Sequence, residues 1–224
     1  GVLGEVPALA LGTLPLGVNY PQPRPARKAA VELVRRAVAR GGVRLIDTAD
    51  VYCANMRDVG YAEQIVVEGV SLAGATADVI VATKGGMERV GDGLTSASWR
   101  PAAMTPALVR AKIRASRSRM APQGIAAGDA PPIKLWQFHH CDGFDVNKDV
   151  PAERNAFIQL LTAASEAIRD GDLLAVGLCN CSVLHATLAI EVLGKHFVSV
   201  QNPFSLYDRT AEKAAPPKRI AKSN

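Results

Sequence analysis

Asp47, Tyr52, Lys84 and His139 are residues of the types that can hold and deliver a proton, and each stands where a short apolar run gives out. Asp47 and Tyr52 follow Val43–Ile46, Lys84 follows Val79–Thr83, and His139 follows Leu135–Phe138. A free phenol ionises only near pH ~10. An ammonium beside it would lower that value, and a carboxylate can hold the lysine charged and aimed. A neighbouring histidine can donate to a carbonyl oxygen and fix its direction, as general acid–base chemistry requires. Taken singly, each residue has a plainer reading: a turn aspartate, a rim lysine, a packing tyrosine, a structural histidine. Their joint placement after successive runs shifts the balance, because the ends of neighbouring parallel strands in a barrel open onto one mouth.

The elements needed to position them alternate along the chain. Ala8–Leu11 reads as a first strand leading into a Gly/Pro-rich loop, and residues 26–40 as a helix with Val31, Val34 and Val38 on one face. Gly41-Gly42 ends it before a second strand at Val43–Asp47. A helix is expected over 61–73, a third strand over Asp78–Lys84, then a long loop containing Gly91, Gly93 and Trp99. A loop of that length at a barrel mouth shapes a pocket, and Trp99 is its candidate wall. Thr105-Pro106 starts the next helix, with Thr105 as cap and Pro106 at the first helical position. Strands at Ile133–His139, Leu173–Cys179 and Phe197–Gln201 then alternate with helices near 152–169 and 183–194. Such alternation implies an α/β fold with a parallel sheet and right-handed crossovers. A closed (β/α)8 TIM barrel needs eight strands and about 250 residues. Only about six strands are found here, in a barrel unit over 1–209 followed by a polar tail at 210–224.

Composition narrows the function classes. The chain has 224 residues, 48% hydrophobic and 21% charged, enough for one large domain with a sizeable core. No apolar stretch approaches the ~20 residues of a membrane span, and the first residues show no signal-peptide pattern. The expectation is an intracellular protein, of cytoplasm or plastid, with no membrane partner. A net charge of +5 raises the question of nucleic acid. The basic residues fall at helical spacing, Arg35, Arg36 and Arg40 in one segment and Arg110, Lys112, Arg114, Arg117 and Arg119 in another, without interleaved aromatics. They read as solvated helix faces or as a field attracting an anionic cofactor or substrate, and not as a nucleic-acid site. Cys53, Cys141, Cys179 and Cys181 are too few for a disulfide scaffold. They are small fillers, an oxidation-sensitive rim, or part of a thiolate–imidazole metal site with His139 and His140. The filler reading leads, and no metal is expected.

The wording around these residues is distinctive. Asp47-Thr48-Ala49-Asp50-Val51-Tyr52, Ala82-Thr83-Lys84-Gly85-Gly86, Leu135-Trp136-Gln137-Phe138-His139-His140-Cys141-Asp142, Gly171 to Ser182 and Val200-Gln201-Asn202 together resemble the aldo-keto reductase superfamily, in order from about residue 8 to 209. The resemblance implies a (β/α)8 barrel using NADP, or NAD, to reduce an aldehyde or ketone or to run the reverse oxidation. It implies Tyr52 as proton donor, Lys84 and Asp47 as its tuning partners, and His139 as the group orienting a small carbonyl substrate. His139 is chosen over His140 because the family's histidine is followed three positions on by an aspartate, here Asp142. It further implies that Asp47, Asn180 and Gln201 contact the cofactor.

The chain departs from the family pattern in three places. Cys179 stands where serine is common, Arg117 and Ser118 stand where a buried leucine is usual, and nothing after Tyr207-Asp208-Arg209 matches the later strands and phosphate-holding loop. Unpaired sheet edges invite covering. An alternative reading is therefore a catalytically inactive barrel fragment acting as a structural or interaction subunit, with a protein partner over its open edges.

Overall fold

The computed structural model describes residues 2–19, 22–90, 99–122, 124–147, 149–209 and 211. Gly91 and Gly93 of the long loop lie outside the described residues, as does all of the polar tail except Ala211. Among the described residues six strands form one parallel sheet: β1 (Leu11–Gly12), β2 (Leu45–Asp47), β3 (Ile80–Gly85), β6 (Leu135–Phe138), β7 (Val176–Cys179) and β8 (Phe197–Gln201). They are hydrogen-bonded in that order, each to its predecessor. The result is a curled half-barrel of six parallel strands, the architecture expected from the alternation.

After a short α1 (Leu14–Gly17), five long helices among the described residues cover its outer face: α2 (Arg27–Ala39), α3 (Tyr61–Leu72), α4 (Pro106–Arg119), α5 (Pro151–Arg169) and α6 (Val183–Leu193). Their apolar stripes meet the outward side chains of the strands. Val31, Val34 and Val38 of α2 and Ile65, Val66 and Val70 of α3 close over Ile46 and Val81. Phe157, Leu160, Leu161 and Ala164 of α5 close over Trp136, Phe138, Val176 and Leu178. Thr105 caps α4 as its sequence suggests, its hydroxyl accepting from the Leu108 amide at 3.2 Å.

Three local differences from the sequence reading have physical causes. Strand β1 pairs only through Leu11 and Gly12, and Leu9 upstream is 85% exposed. The long loop holds an antiparallel hairpin, β4 (Met87–Arg89) with β5 (Trp99–Pro101), which Arg100 and Pro101 disguise as coil. The basic residues of α4 are paired rather than simply solvated, though Arg114 stays exposed: Arg110 pairs with Glu166 and Asp170, Lys112 with Asp50, Arg114 and Arg117 with Asp172, and Arg119 with Glu63. Helical spacing located these cations correctly, but their acidic partners come from α3, from α5 and from the loops after β2 and α5. Arg117 also donates to the Ala130 carbonyl, so the position expected to need a leucine is held by polar bonds.

Candidate active site

Strand alternation decides what faces the inside of the curl. Successive inward residues are Ile80, Ala82 and Lys84 on β3, Leu45 and Asp47 on β2, and Leu135 and Gln137 on β6. The lower layer is apolar, with Ile80, Ala82, Leu135 and Ala175 packed together. Above it, Ser199 donates to the Gln137 side chain at 3.1 Å across Gly177. The top layer, at the carboxyl ends of the strands, contains Asp47, Lys84 and Cys179, with His139 just past the end of β6.

Tyr52 enters this layer from the loop after β2, which is stitched along β3. The Thr48 amide donates to the Ala82 carbonyl at 2.8 Å and the Asp50 amide to the Lys84 carbonyl at 3.1 Å, extending the parallel ladder beyond the strand. Gly17 lets the loop close down: a β-carbon there would lie 2.0 Å from the Tyr52 carbonyl oxygen. The phenol therefore arrives over Lys84.

Lys84 is buried, and its ammonium meets three acceptors: Asp47 Oδ2 at 2.6 Å, the Thr48 carbonyl at 3.0 Å and Tyr52 Oη at 3.0 Å. An ammonium has three N–H donors, so all are committed. Because Lys84 donates to the phenol oxygen, the phenol's own hydrogen is left to point elsewhere, and no acceptor for it lies among the described residues. Burial would pull the Lys84 pKa down, but Tyr52 and Asp47 outweigh it and hold it above its ordinary value. Burial also pushes the Tyr52 phenol up, assisted by Asp47 and opposed by Lys84. This reverses the direction expected from the lysine alone: desolvation outweighs the ammonium, and Tyr52 is a protonated phenol at neutral pH.

His139 completes the cluster. Its ring meets Tyr52 edge-on, with centroids 5.8 Å apart, and meets Trp99 at 6.4 Å. The residue keeps partial solvent access, yet its surroundings are dense; burial, then Lys84, His140 and Lys112, lower its pKa to about 3. The imidazole is therefore neutral. Trp99, brought in by β5, stands 6.1 Å from the Tyr52 ring, and its indole nitrogen, like His139 Nδ1, is buried without a hydrogen-bond partner among the described residues. Arg89 of β4 lies 5.2 Å from the Trp99 ring centre and donates to the Ala54 carbonyl, tying the hairpin to the Tyr52 loop. Sequence reasoning missed Arg89 and the Asp50–Lys112 pair. Asp50 was visible within the Asp47–Tyr52 wording, but its partner on α4 was not.

Asn180 and Gln201 lie at neighbouring ends of β7 and β8. The Asn180 amide donates to the Gln201 carbonyl at 3.1 Å, and the Cys179 thiol lies 3.2 Å from Gln201 Oε1. All four cysteines are free and buried. Burial pushes Cys53 and Cys181 up to about 11 and Cys179 to about 12, so the thiols stay protonated. Among the described residues no three His, Cys, Asp or Glu side chains converge to hold a metal ion. Nor is any helix there long and apolar enough to cross a membrane.

Residues 8–218 match the family model described as Aldo/keto reductase family. The chain belongs to that family. It is 30% identical over 207 residues to uncharacterized oxidoreductases of Mycobacterium bovis and Mycobacterium tuberculosis, covering 91% of this chain and 51% of theirs. The glycerol dehydrogenase AKR11B4 from Gluconobacter oxydans superposes with a TM-score of 0.63 at 26% identity, over 92% of this chain and 54% of that one. The chain thus spans about half the length of the relatives it matches.

Proposed function

We propose that the protein, in its full cellular length, reduces an aldehyde or ketone to an alcohol, or runs the reverse oxidation, with NADPH or NADH and with Tyr52 as the proton donor. The observation that carries this reading is the Lys84 ammonium bonded at once to Asp47, the Thr48 carbonyl and the Tyr52 oxygen. Reduction of a carbonyl needs a hydride at carbon and a proton at oxygen. A bound nicotinamide supplies the hydride. The chain supplies the proton: Tyr52 keeps it at neutral pH and has it free to give, while Lys84, fixed by Asp47, stabilises the charge left on the phenol oxygen. Neutral His139 orients the carbonyl from the side.

The residues present fit a nicotinamide cofactor. Asp47 Oδ1 is buried with no partner among the described residues, which suits a hydroxyl donor. Asn180 and Gln201 offer amides to a carboxamide. Cys179 supports this end indirectly, through Gln201.

Saturable binding of NADPH by the full-length protein, with oxidation of NADPH in the presence of a small aldehyde, is the expected outcome. A second reading, a non-catalytic interaction subunit, draws on the exposure of the last strand and the segment after it: Val200 is 50%, Leu206 87% and Tyr207 99% exposed. It requires a co-purifying partner and no saturable nicotinamide binding. A binding isotherm with a plateau rejects it; a flat one rejects the enzyme.

A further inference from the structure

We propose that Asn180 is a positioning residue for His139, so that one side chain serves both the cofactor end and the substrate end of the site. The two tasks are those of the proposed function; the mechanical link between them is independent of it. Asn180 is the one non-glycine residue with positive φ among the described residues, at 50°. Asparagine tolerates that region better than most residues, and such a conformation persists only where its surroundings enforce it. Here the left-handed turn at the end of β7 sends the side chain back toward β6, where Nδ2 donates to the His139 carbonyl at 2.9 Å.

That bond stands where the regular pairing stops. Strands β6 and β7 are in register as far as Phe138 with Leu178. One residue later the His139 amide still donates to the Gly85 carbonyl of β3 at 2.9 Å. Its carbonyl is taken by the Asn180 side chain. The peptide of His139 is thus held from both sides, by β3 through its N–H and by β7 through its oxygen. Its ring has no such anchor: Nδ1 is buried without a partner, and the described residues offer the imidazole only ring contacts with Tyr52 and Trp99. A histidine is usually aimed by a hydrogen bond to its second nitrogen. In this chain the backbone clamp takes that role. Asn180 has a second amide hydrogen and its oxygen left over, enough to meet a carboxamide without releasing His139.

The test needs no cofactor, so its failure is separable from failure of the proposed function. The protein contains four histidines, His139, His140, His185 and His196. With 15N-labelled histidine, their imidazole signals can be followed by NMR against pH, with His139→Gln and His140→Gln providing the assignments. The charged and titratable groups around His139 are Lys84 and Tyr52, His140 beside it, and Lys112 of α4. They are the same in wild type and Asn180→Gly, whereas Asn180→Asp adds a carboxylate that by itself raises the His139 midpoint, so the glycine variant carries the comparison. Asn180→Gly keeps the left-handed backbone and removes the clamp. Asn180→Asp keeps the size but turns the donor into an acceptor facing a carbonyl. In both, the His139 signal should move and its titration midpoint should rise by about one unit or more toward the ordinary value as the ring gains water. The His185 and His196 signals should stay in place, showing an intact fold. An unchanged His139 midpoint in Asn180→Gly overturns the proposal, and that glycine variant alone decides if the aspartate variant does not fold.

Discussion

The proton-handling end and the last-strand end of this molecule are built from the same alternation of strands, yet they differ in how far each supports itself. All three Lys84 N–H donors have acceptors, β3, β6 and β7 are buried along their whole lengths, and the loop bearing Tyr52 is bonded to β3. Along β8 the burial fades toward Gln201, and Phe204, Leu206 and Tyr207 lie open. The groups proposed for proton donation therefore all stand within these residues, whereas the amides of Asn180 and Gln201 stand at a rim.

The largest effect that would break this contrast is expected at Lys84. Replacing it by methionine leaves Asp47 partly buried without its cation, and loss of one partner of such a pair costs about 3 kcal/mol. Urea unfolding at unchanged slope should show it; a midpoint equal to wild type would mean the pair is not holding the half-barrel. Next comes Gly17→Ala, whose methyl would force the Tyr52 carbonyl to move. A shift of about 1 Å at a reacting group costs roughly a hundredfold in turnover. Normal activity in that variant would show the Tyr52 loop to be more compliant than its hydrogen bonds imply.

A smaller effect sharpens the comparison through pH. His139 is held neutral in the folded protein, with a pKa of about 3 against 6.5 when free. The unfolded chain binds a proton there below pH 6.5 and the folded chain does not, so stability is lost as pH falls from that point. Between pH 6.5 and 5 the loss amounts to about 1.5 kcal/mol. Asp50, raised by burial to about 6, works in the opposite sense, since the folded state takes up its proton first. Comparing wild type with His139→Gln isolates the histidine: the variant should be less sensitive to acid by that amount in thermal or denaturant melts. The smallest effect is expected at the open end, where Tyr207→Ser should change stability by less than about 0.5 kcal/mol. A large loss there would mean that the rim is packed in solution.

Much of this was legible in the sequence. Phe197–Gln201 is a strand at the bounds its apolar run suggests, and Thr105-Pro106 begins a helix for the stated capping reason. The convergence of Asp47, Tyr52, Lys84 and His139 followed from strand ends alone, because parallel neighbours share a mouth. Two things were not legible, and both depend on distant partners. The cations of α4 could be assigned to a helix face, but not to Glu63, Asp170 or Asp172, which stand elsewhere in the chain. The direction of the Tyr52 shift depends on whether burial outweighs one ammonium, and burial belongs to the packed structure. The hairpin carrying Trp99 was hidden by residues that disfavour strands.

Tyr52 as the source of the proton is the central claim. Turnover of NADPH with a small aldehyde should be compared between the full-length wild type and Tyr52→Phe, with NADPH affinity measured in both. Loss of turnover by a factor of about a hundred or more, with cofactor affinity retained, is the expected result. Undiminished turnover in the phenylalanine variant would contradict it.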